Sequence, residues 1–187
     1  MDYFTNEWNT DLSIMETILD QIEFYSGTCR RNMLRKANEK HLKNSGSMLF
    51  GRTWRGYLSP TKQRVKCEKT GLFKTKALTD NKELELVFAE FSKLHFPDFE
   101  WSQVQMNKNY TCPPHRDSVN VGESILVCCG DYTGGLTCVD INNKIVKYDA
   151  RDKPVKFNGA KLLHWVERYE GNRYSLVFFN NNKKLLK

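Results

Sequence analysis

The sequence predicts an α+β protein in which helices of the N-terminal half pack against a β-sandwich or jelly roll formed by the C-terminal half. Over the first part of the chain, apolar residues recur at steps of three and four, which is the period of a helix. From Trp101 onward the step changes to two, which is the period of a strand. Short strand-like segments with no helices between them indicate antiparallel sheets rather than a parallel one.

Two helices are predicted in the first third of the chain. The first is expected to begin near Asn9 or Thr10, as a cap, and to end at Gly27. Its apolar stripe consists of Trp8, Leu12, Met15, Leu19 and Ile22. The second helix is more basic, is predicted over about residues 28–42, and is ended by the turn residues 44–47.

A third helix has the clearest signals. Asp80 is expected to cap it, and Glu83 completes a capping box. Pro97 is expected to end it. The buried stripe between these signals consists of Leu84, Val87, Phe88 and Phe91. We expect all three helices to pack on the core as structural elements.

Seven strands are predicted after Trp101, each short and rich in Val, Ile, Leu, Tyr and Phe. Turn residues such as Gly134-Gly135 and Asn142-Asn143 separate them. The strands lie near residues 102–110, 123–129, 135–140, 144–148, 153–157, 160–166 and 172–180. The length of 187 residues and the lack of a low-complexity linker predict a single domain.

The composition favours a folded, intracellular protein. Hydrophobic residues make up 40% of the chain, and no apolar run approaches the roughly 20 residues of a membrane span. The N-terminus is polar and acidic and lacks the pattern of a signal peptide. The six cysteines show no CxxC pair, so we expect reduced thiols, with adjacent Cys128 and Cys129 on opposite faces of a strand.

Positive charge is concentrated between Phe50 and Lys76, which we call the basic segment. The formal net charge of +7 is compatible with a polyanionic partner. It is equally compatible with a compositional bias towards Lys and Asn that is unrelated to binding. The basic residues of the segment are Arg52, Arg55, Lys62, Arg64, Lys66, Lys69, Lys74 and Lys76, and Phe50, Trp54, Tyr57 and Phe73 are interleaved with them. Cations that hold phosphates and aromatics that stack on bases would suit single-stranded nucleic acid or a flipped base, although the aromatics are equally suited to a core.

Three residues have the pattern of a metal site. His115 and Asp117 lie two positions apart, so an extended segment would present both side chains on one side. His164 lies in a later predicted strand, on the face of Leu162 and Val166, where an imidazole needs a partner. Two histidines and one carboxylate are the ligand set of non-haem iron(II) oxygenases, with open positions left for a cosubstrate and O2. His41 and His95 are expected to be structural or solvated.

Arg173 is a candidate anchor for a carboxylate. Alternation places it on one strand face with Ser175, Val177 and Phe179. A guanidinium on an otherwise apolar face is costly unless a carboxylate meets it, and the planar fork of arginine can bind a carboxylate with two hydrogen bonds. Ser175 can add a third hydrogen bond.

These motifs resemble the 2-oxoglutarate/Fe(II)-dependent dioxygenase superfamily. The resemblance is carried by His115-Arg116-Asp117, Gly134-Gly135, Gly159-Ala160 before His164, and Gly171-Asn172-Arg173-Tyr174-Ser175. Further runs are similar to the TET/JBP-like branch of microbial eukaryotes and their viruses. These runs are Asn107-Lys108-Asn109-Tyr110, Asn120-Val121-Gly122 and Gly130-Asp131-Tyr132-Thr133-Gly134-Gly135.

The resemblance implies a double-stranded β-helix core, of the jelly-roll or cupin-like kind, over residues 101–182, with residues 1–100 as a helical buttress and basic substrate-side segment. It implies Fe(II) on His115, Asp117 and His164, 2-oxoglutarate as the cosubstrate, and O2. Asn109 and Tyr110 become candidate contacts for the cosubstrate, beside Arg173 and Ser175. The segment between Tyr110 and His115 is shorter than in AlkB-like relatives, which leaves these two contacts open.

The substrate implied by the branch is the methyl group of 5-methylcytosine or thymine in nucleic acid. Candidate substrate contacts are Arg52, Arg55, Arg64 and Lys66 of the basic segment, together with Arg116 at the mouth of the site. A second possibility is a hydroxylase of protein side chains or small molecules, because prolyl hydroxylases share the metal ligands and the Gly-Gly turn. A third is a non-catalytic, cupin-like binding module whose three residues hold zinc or nothing.

Overall fold

The computed structural model describes residues 3–24, 45–53, 73–117 and 120–181. Three helices are found in this part of the chain: α1 (Trp8–Asp20), α2 (Lys76–Asp80) and α3 (Leu84–His95). The helix predicted at 28–42 lies outside the described residues. None of the described helices is both long and apolar enough to cross a membrane.

Eleven strands form the rest of the described structure. They are β1 (Gly46–Thr53), β2 (Phe73–Lys74), β3 (Gln103–Lys108), β4 (Val121–Cys129), β5 (Tyr132–Gly134), β6 (Thr137–Ile141), β7 (Lys144–Tyr148), β8 (Val155–Phe157), β9 (His164–Val166), β10 (Tyr169–Gly171) and β11 (Tyr174–Asn180).

The strands form antiparallel sheets. The large sheet has six strands in the order β2-β1-β3-β11-β4-β8, the small sheet has the order β7-β6-β9, and β10 pairs with β5 in a two-stranded ribbon. Leu126 of β4, Phe157 of β8 and Val139 of β6 belong to one buried apolar cluster, so the inner faces of the large and small sheets pack together. This mixed structure of antiparallel sheets with N-terminal helices confirms the predicted α+β, jelly-roll class.

The outer face of the large sheet carries the helices. Met15 and Leu19 of α1 and Phe88 and Phe91 of α3 share a core with Phe178 and its neighbours on the large sheet. The rings of Phe88 and Phe178 meet edge to face, with centroids 5.8 Å apart. The apolar stripes predicted for the first and third helices therefore face the sheet, as expected.

Alternation along β11 separates this outer core from the interior between the two sheets. Tyr174, Leu176 and Phe178 are buried against the helices, whereas Val177 packs in the inner cluster. The neighbouring strand β4 follows the same rule, because Cys129 belongs to the outer core and Cys128 to the inner one. Cys112, Cys128, Cys129 and Cys138 are free thiols, as expected.

Helix ends differ from the prediction. The first helix begins at Trp8 after Glu7, which makes no side-chain capping bond, and it ends at Asp20 rather than Gly27. Asp80 does not cap the third helix but ends α2, where it pairs with Lys76. Thr75 begins that short helix, because its hydroxyl accepts the N–H of Leu78.

The strand β1 was not predicted, although it lies inside the large sheet between β2 and β3. Its sequence alternates as a buried strand should, with Met48 and Phe50 on the outer core and Ser47 across from Asn107 on the inner face. Ser and Gly at its start are typical of a turn, so the prediction of a turn over residues 44–47 was wrong from Gly46 onward. The N-terminal half of the chain therefore supplies sheet as well as helix.

A buried carboxylate holds the N-terminal residues against α3. Asp11, which is fully buried, accepts hydrogen bonds from Thr5 N at 2.7 Å, Thr5 Oγ1 at 2.8 Å, Asn6 N at 3.0 Å and His95 Nε2 at 2.8 Å. Burial by itself would raise the pKa of Asp11, but these donors bring it below its usual value. His95 is therefore a structural histidine, as the sequence suggested.

Replacing Asp11 with Asn should lower the free energy of unfolding by about 1–3 kcal/mol, because the amide cannot accept all of these bonds. The folded pKa is depressed, so the carboxylate contributes fully above the unfolded value of about 3.9 and is lost as the pH falls through the folded value. Urea unfolding should therefore give a constant difference at neutral pH that shrinks only below about pH 4. The exposed Glu23→Gln is the matched control, and an equal loss there would contradict the special role of Asp11.

Candidate metal centre and carboxylate pocket

A pair of backbone hydrogen bonds brings the His-x-Asp segment to β9. The N–H of His115 donates to the carbonyl of His164 at 3.0 Å, and the N–H of His164 donates back to the carbonyl of His115 at 3.0 Å. Beyond this bridge, the N–H of Asp117 donates to the carbonyl of Gly159 at 2.9 Å. The segment is thus held extended against the chain that leads into β9, which points His115 and Asp117 to the same side.

The three side chains converge on one point. Ligand atoms of His115, Asp117 and His164 all lie within 4.8 Å of one another. Nε2 of His115 is 3.7 Å from one carboxylate oxygen of Asp117, and Nε2 of His164 is 3.8 Å from the other. These separations are too long for direct hydrogen bonds, but one ion can contact all three groups. We call these residues the triad.

Both histidines have the tautomer that a metal requires. Nδ1 of His115 lies 2.8 Å from the carbonyl oxygen of Pro113, and Nδ1 of His164 lies 3.0 Å from that of Leu162. A carbonyl oxygen only accepts, so each Nδ1 carries a hydrogen, and it is Nε2 of each ring that is directed towards Asp117 and can offer a lone pair to a metal. Outer hydrogen bonds of this kind orient histidine ligands in metal sites.

Gly159 leaves the space that an ion needs. A Cβ atom at this position would lie 2.6 Å from Oδ2 of Asp117 and 3.4 Å from Cε1 of His164. Oδ2 of Asp117 also accepts from Nδ2 of Asn120 at 2.9 Å, which fixes the carboxylate. Two imidazole nitrogens and one carboxylate, with one side kept clear by a glycine, fit a non-haem Fe(II) ion with open positions for a cosubstrate and O2.

Arg173 is buried on the inner face of the large sheet. Only 2% of its surface is exposed, and its Nη2 donates to Sγ of Cys128 at 3.0 Å. The guanidinium carbon lies 5.4 Å from the ring centre of Tyr132 and 5.6 Å from that of Tyr169. We call Arg173 and these three neighbours the carboxylate pocket.

The guanidinium keeps unused donor capacity. Its Nε is buried and has no hydrogen-bond partner, and no carboxylate among the described residues forms an ion pair with it. A buried cation in this state is costly, and a ligand carboxylate would relieve the cost. Burial raises the pKa of the Cys128 thiol, so the sulfur beside Arg173 stays neutral and cannot serve as the counter-ion.

The Gly-Gly turn closes one side of the pocket. Gly135 has a φ of +70°, and a Cβ there would lie 3.0 Å from Cβ of Tyr169, 3.1 Å from Cε2 of Tyr132 and 3.2 Å from Nε of Arg173. The turn therefore needs glycine both for its backbone conformation and for the close approach of the guanidinium. This gives a physical reason for a motif that the sequence showed only as a turn.

The triad and the carboxylate pocket open on the same interior. His164 lies opposite Val139 in the pairing of β6 with β9, and its ring is 5.0 Å from that of Phe157. Val139 and Phe157 belong to the same buried cluster as Cys128 and Tyr132 of the pocket.

The other predicted cosubstrate contacts occupy different positions. Ser175 is buried on the inner face of β11 and accepts from Asn107. Asn109 uses its side chain to accept from Arg173 N at 2.8 Å and to donate to Asn172, so it holds the backbone of the arginine. Tyr110 is buried. Direct contacts of Asn109 and Tyr110 with the cosubstrate remain predictions.

The predicted substrate contacts are only partly described. Arg52 forms an ion pair with Glu85 at the end of β1. Arg116 is exposed beside the triad, and its Nε donates to the carbonyl of Lys161 at 2.9 Å. Arg55, Arg64 and Lys66 lie outside the described residues. The roles of all five in binding substrate remain predictions.

Sequence reasoning did not assign Cys128, Tyr132 and Tyr169 to the pocket, nor Gly159 and Asn120 to the triad. Tyr132, Gly159 and Asn120 stood inside motifs that were recognised, but without a role. Cys128 was read only for its side of the strand. No pattern in the sequence singles out Tyr169, because its contact with Arg173 depends on the pairing of β10 with β5.

Comparison with known proteins gives structural neighbours alone. No protein-family model and no curated protein sequence matches the chain. Among solved structures, NgTET1 in complex with 5mC DNA is 13% identical, with a TM-score of 0.46 over 81% of this chain and 64% of that one. This chain therefore spans less than two thirds of NgTET1.

Two further neighbours are an oxidoreductase of the 2OG-Fe(II) oxygenase family from Burkholderia pseudomallei and a Trichoplax adhaerens prolyl hydroxylase in complex with a hypoxia inducible factor oxygen degradation domain peptide. The first is 14% identical, with a TM-score of 0.45 over 72% of this chain and 66% of that one. The second is 12% identical, with a TM-score of 0.49 over 98% of this chain and 82% of that one.

Replacing Gly159 with Ala should weaken metal binding by roughly ten- to hundredfold, because the new methyl group would displace the Asp117 carboxylate. Calorimetric titration with Fe(II) under nitrogen measures the effect, and circular dichroism checks that the fold persists. The neighbouring Ala160→Gly is the control and should bind metal as the wild type does. Undiminished binding by the Gly159 variant would mean that the ion does not lie between these three residues.

Proposed function

We propose that this protein is an Fe(II)- and 2-oxoglutarate-dependent oxygenase that hydroxylates a C–H bond. One observation carries the proposal: a buried arginine that has no ion-pair partner among the described residues borders the same buried cluster as a His-Asp-His triad. Neither feature is specific to an oxygenase when it occurs alone, since zinc also binds two histidines and a carboxylate. The combination provides one end for a metal-chelating keto acid and another for its distal carboxylate.

Each residue has a task in this chemistry. His115 and His164 give neutral imidazole nitrogens, and Asp117 gives a carboxylate that Asn120 holds in place. Arg173 binds the distal carboxylate of the cosubstrate and so fixes its orientation. Fe(II) with a bound keto acid supplies the activation of O2 that is coupled to decarboxylation of the acid and hydroxylation of the substrate.

The surrounding side chains exclude water and strengthen the ionic contact. Val139, Phe157 and Tyr132 are buried in the apolar cluster that borders both the triad and Arg173. In such surroundings, a charge-assisted hydrogen bond is stronger than at an exposed surface.

Replacing Arg173 with Gln should weaken 2-oxoglutarate binding by roughly ten- to hundredfold and leave Fe(II) binding nearly unchanged. Arg173→Lys should weaken 2-oxoglutarate binding less than Arg173→Gln does, because lysine keeps the positive charge but lacks the planar fork. The visible absorption band of the iron–keto acid chelate, titrated under nitrogen, gives both affinities. The exposed Arg168→Gln is the matched control, and a loss of affinity there instead would assign the anchor to Arg168.

For the substrate, we propose the methyl group of a 5-methylpyrimidine in nucleic acid, as in the TET/JBP-like branch. Three features support this choice: the runs around Asn107, Asn120 and Tyr132 that resemble the branch, the net charge of +7, and the exposed Arg116 beside the triad. A methylated base would have to leave its stack to reach a buried iron, and basic residues would hold the phosphates on either side.

If nucleic acid is the substrate, its binding must weaken as salt rises, and single-stranded or mismatched DNA should be oxidised faster than perfect duplex. Replacing Arg52, Arg55, Arg64 and Lys66 with Gln should flatten the salt dependence and reduce turnover of methylated DNA, measured by mass spectrometry of nucleosides. Replacing the exposed Lys144, Lys147, Lys153 and Lys156 instead removes the same charge and is the control. Salt-independent hydroxylation of a prolyl peptide or a free small molecule would overturn the substrate proposal and leave the oxygenase proposal standing.

A further inference from the structure

A row of buried polar side chains crosses the inner face of the large sheet from β1 to β11. Nε2 of Gln105 donates to Oγ of Ser47 at 3.0 Å, and Oγ of Ser47 donates to Oδ1 of Asn107 at 2.8 Å. Nδ2 of Asn107 then donates to Oγ of Ser175 at 3.1 Å. None of the four residues is more than 9% exposed. We call these four residues the hydrogen-bond ladder.

The direction of the hydrogen-bond ladder is fixed at its β1 end. Gln105 also donates from Nε2 to the carbonyl oxygen of Met48 at 3.0 Å. This oxygen can only accept, so it determines which end of the Gln105 amide faces β1. Ser47 receives a hydrogen from Gln105, and its own hydrogen goes to Oδ1 of Asn107. Nε2 of Gln105 also lies 3.5 Å from the same Oδ1, in a longer and weaker contact. The oxygen of the Asn107 amide is therefore held towards Ser47 and its nitrogen towards Ser175.

At the β11 end, the hydrogen-bond ladder leaves a donor available. Ser175 Oγ accepts from Asn107, and no hydrogen bond among the described residues uses the hydroxyl hydrogen of Ser175. Arg173 lies two residues earlier on the same strand face, and its buried Nε also has no acceptor in the described part of the chain. Two donors that lack acceptors thus lie side by side on the inner face of β11, beside the carboxylate pocket.

The geometry points to Ser47 and Asn107 as positioning residues that make this site specific for an acid with a second, distal carboxylate. They turn the hydroxyl hydrogen of Ser175 towards the carboxylate held by Arg173. This inference rests on the proposed function, because the acid is then 2-oxoglutarate. If the Asn107 amide turned over, its oxygen would take the hydrogen of Ser175, and the ligand would lose one of its donors.

The hydrogen-bond ladder can be tested from its far end. Ser47 lies on β1, does not reach the ligand, and can be changed without adding charge. Ser47→Ala removes the shorter hydrogen bond to Oδ1 of Asn107 and leaves only the long contact from Gln105. It should weaken 2-oxoglutarate binding about three- to tenfold, whereas Ser47→Thr keeps the hydroxyl and should bind as the wild type does. Ser175→Ala should cost roughly tenfold, and adding Ser47→Ala to it should cost nothing more, because the two changes act on the same hydrogen bond.

Calorimetric titration of the Fe(II) protein under nitrogen gives these affinities with two ligands. 2-Oxoglutarate spans from the metal to the carboxylate pocket, whereas oxalate chelates the metal and has no distal carboxylate. The Ser47 and Ser175 variants should bind oxalate as the wild type does. Gln103→Met removes another buried amide of β3, one that donates to the carbonyl of Arg52 and lies outside the hydrogen-bond ladder. It serves as the control for a loss of stability alone and should leave both affinities unchanged.

The outcomes separate this inference from the proposed function. A wild-type protein that binds 2-oxoglutarate, with Ser47→Ala binding it equally well, would overturn the positioning role alone. Additive losses in the double variant, or an equal loss with oxalate, would do the same by showing a general disturbance of the sheet. A wild-type protein that takes up Fe(II) and oxalate but not 2-oxoglutarate would overturn the proposed function and the positioning role with it.

Discussion

The mutual backbone hydrogen bonds of His115 and His164 are the constraint on which the site depends. Side chains of a strand alternate between two faces, so a shift of one residue in this pairing would turn either histidine away from the interior. The same pairing places Asp117 next to Gly159, whose missing side chain leaves room for the ion. This short bridge therefore decides which residues meet. The orientation of each imidazole ring then follows from the backbone carbonyl that accepts from its Nδ1 atom.

The inner face of the large sheet carries an unusual number of polar groups for a buried surface. Arg173, Ser175, Asn107 and Gln105 all lie there, where apolar side chains would pack at lower cost. Most of this polarity is satisfied within the protein, through the hydrogen-bond ladder and the contact with Cys128. The donors that remain, on Arg173 and Ser175, lie together on one strand. The cost of burying them is understandable if a ligand completes the network.

How far the sequence could be interpreted depended on whether a residue acts through a local pattern or through a distant partner. The period-two segments and the His-x-Asp spacing are local, and most strands of the C-terminal half and the convergence of the triad were accordingly predicted. The strands β5 and β10 were not predicted, because each is only three residues long and pairs with the other across the chain. Asp80 has a good capping sequence, yet Thr75 begins a short helix in which Asp80 is the last residue, and the next helix begins only at Leu84. Strand β1 was missed because Ser and Gly look like a turn until the sheet pairs them with β3. Cys128 was placed on the correct strand face, but its contact with Arg173 became visible only once β4 and β11 were paired.

The two halves of the site belong to different layers, which makes their spacing a property of the core. The metal ligands lie on the segment that pairs with the small sheet and on β9, whereas Arg173 precedes β11 of the large sheet. The distance between them is therefore set by the apolar side chains between the sheets, such as Leu126, Val139 and Phe157. A well-packed core changes its spacing little, since gaps and overlaps both cost stability. If the protein has the proposed function, its cosubstrate must reach from the triad to Arg173, and the packing of the core would then select the length of the acid.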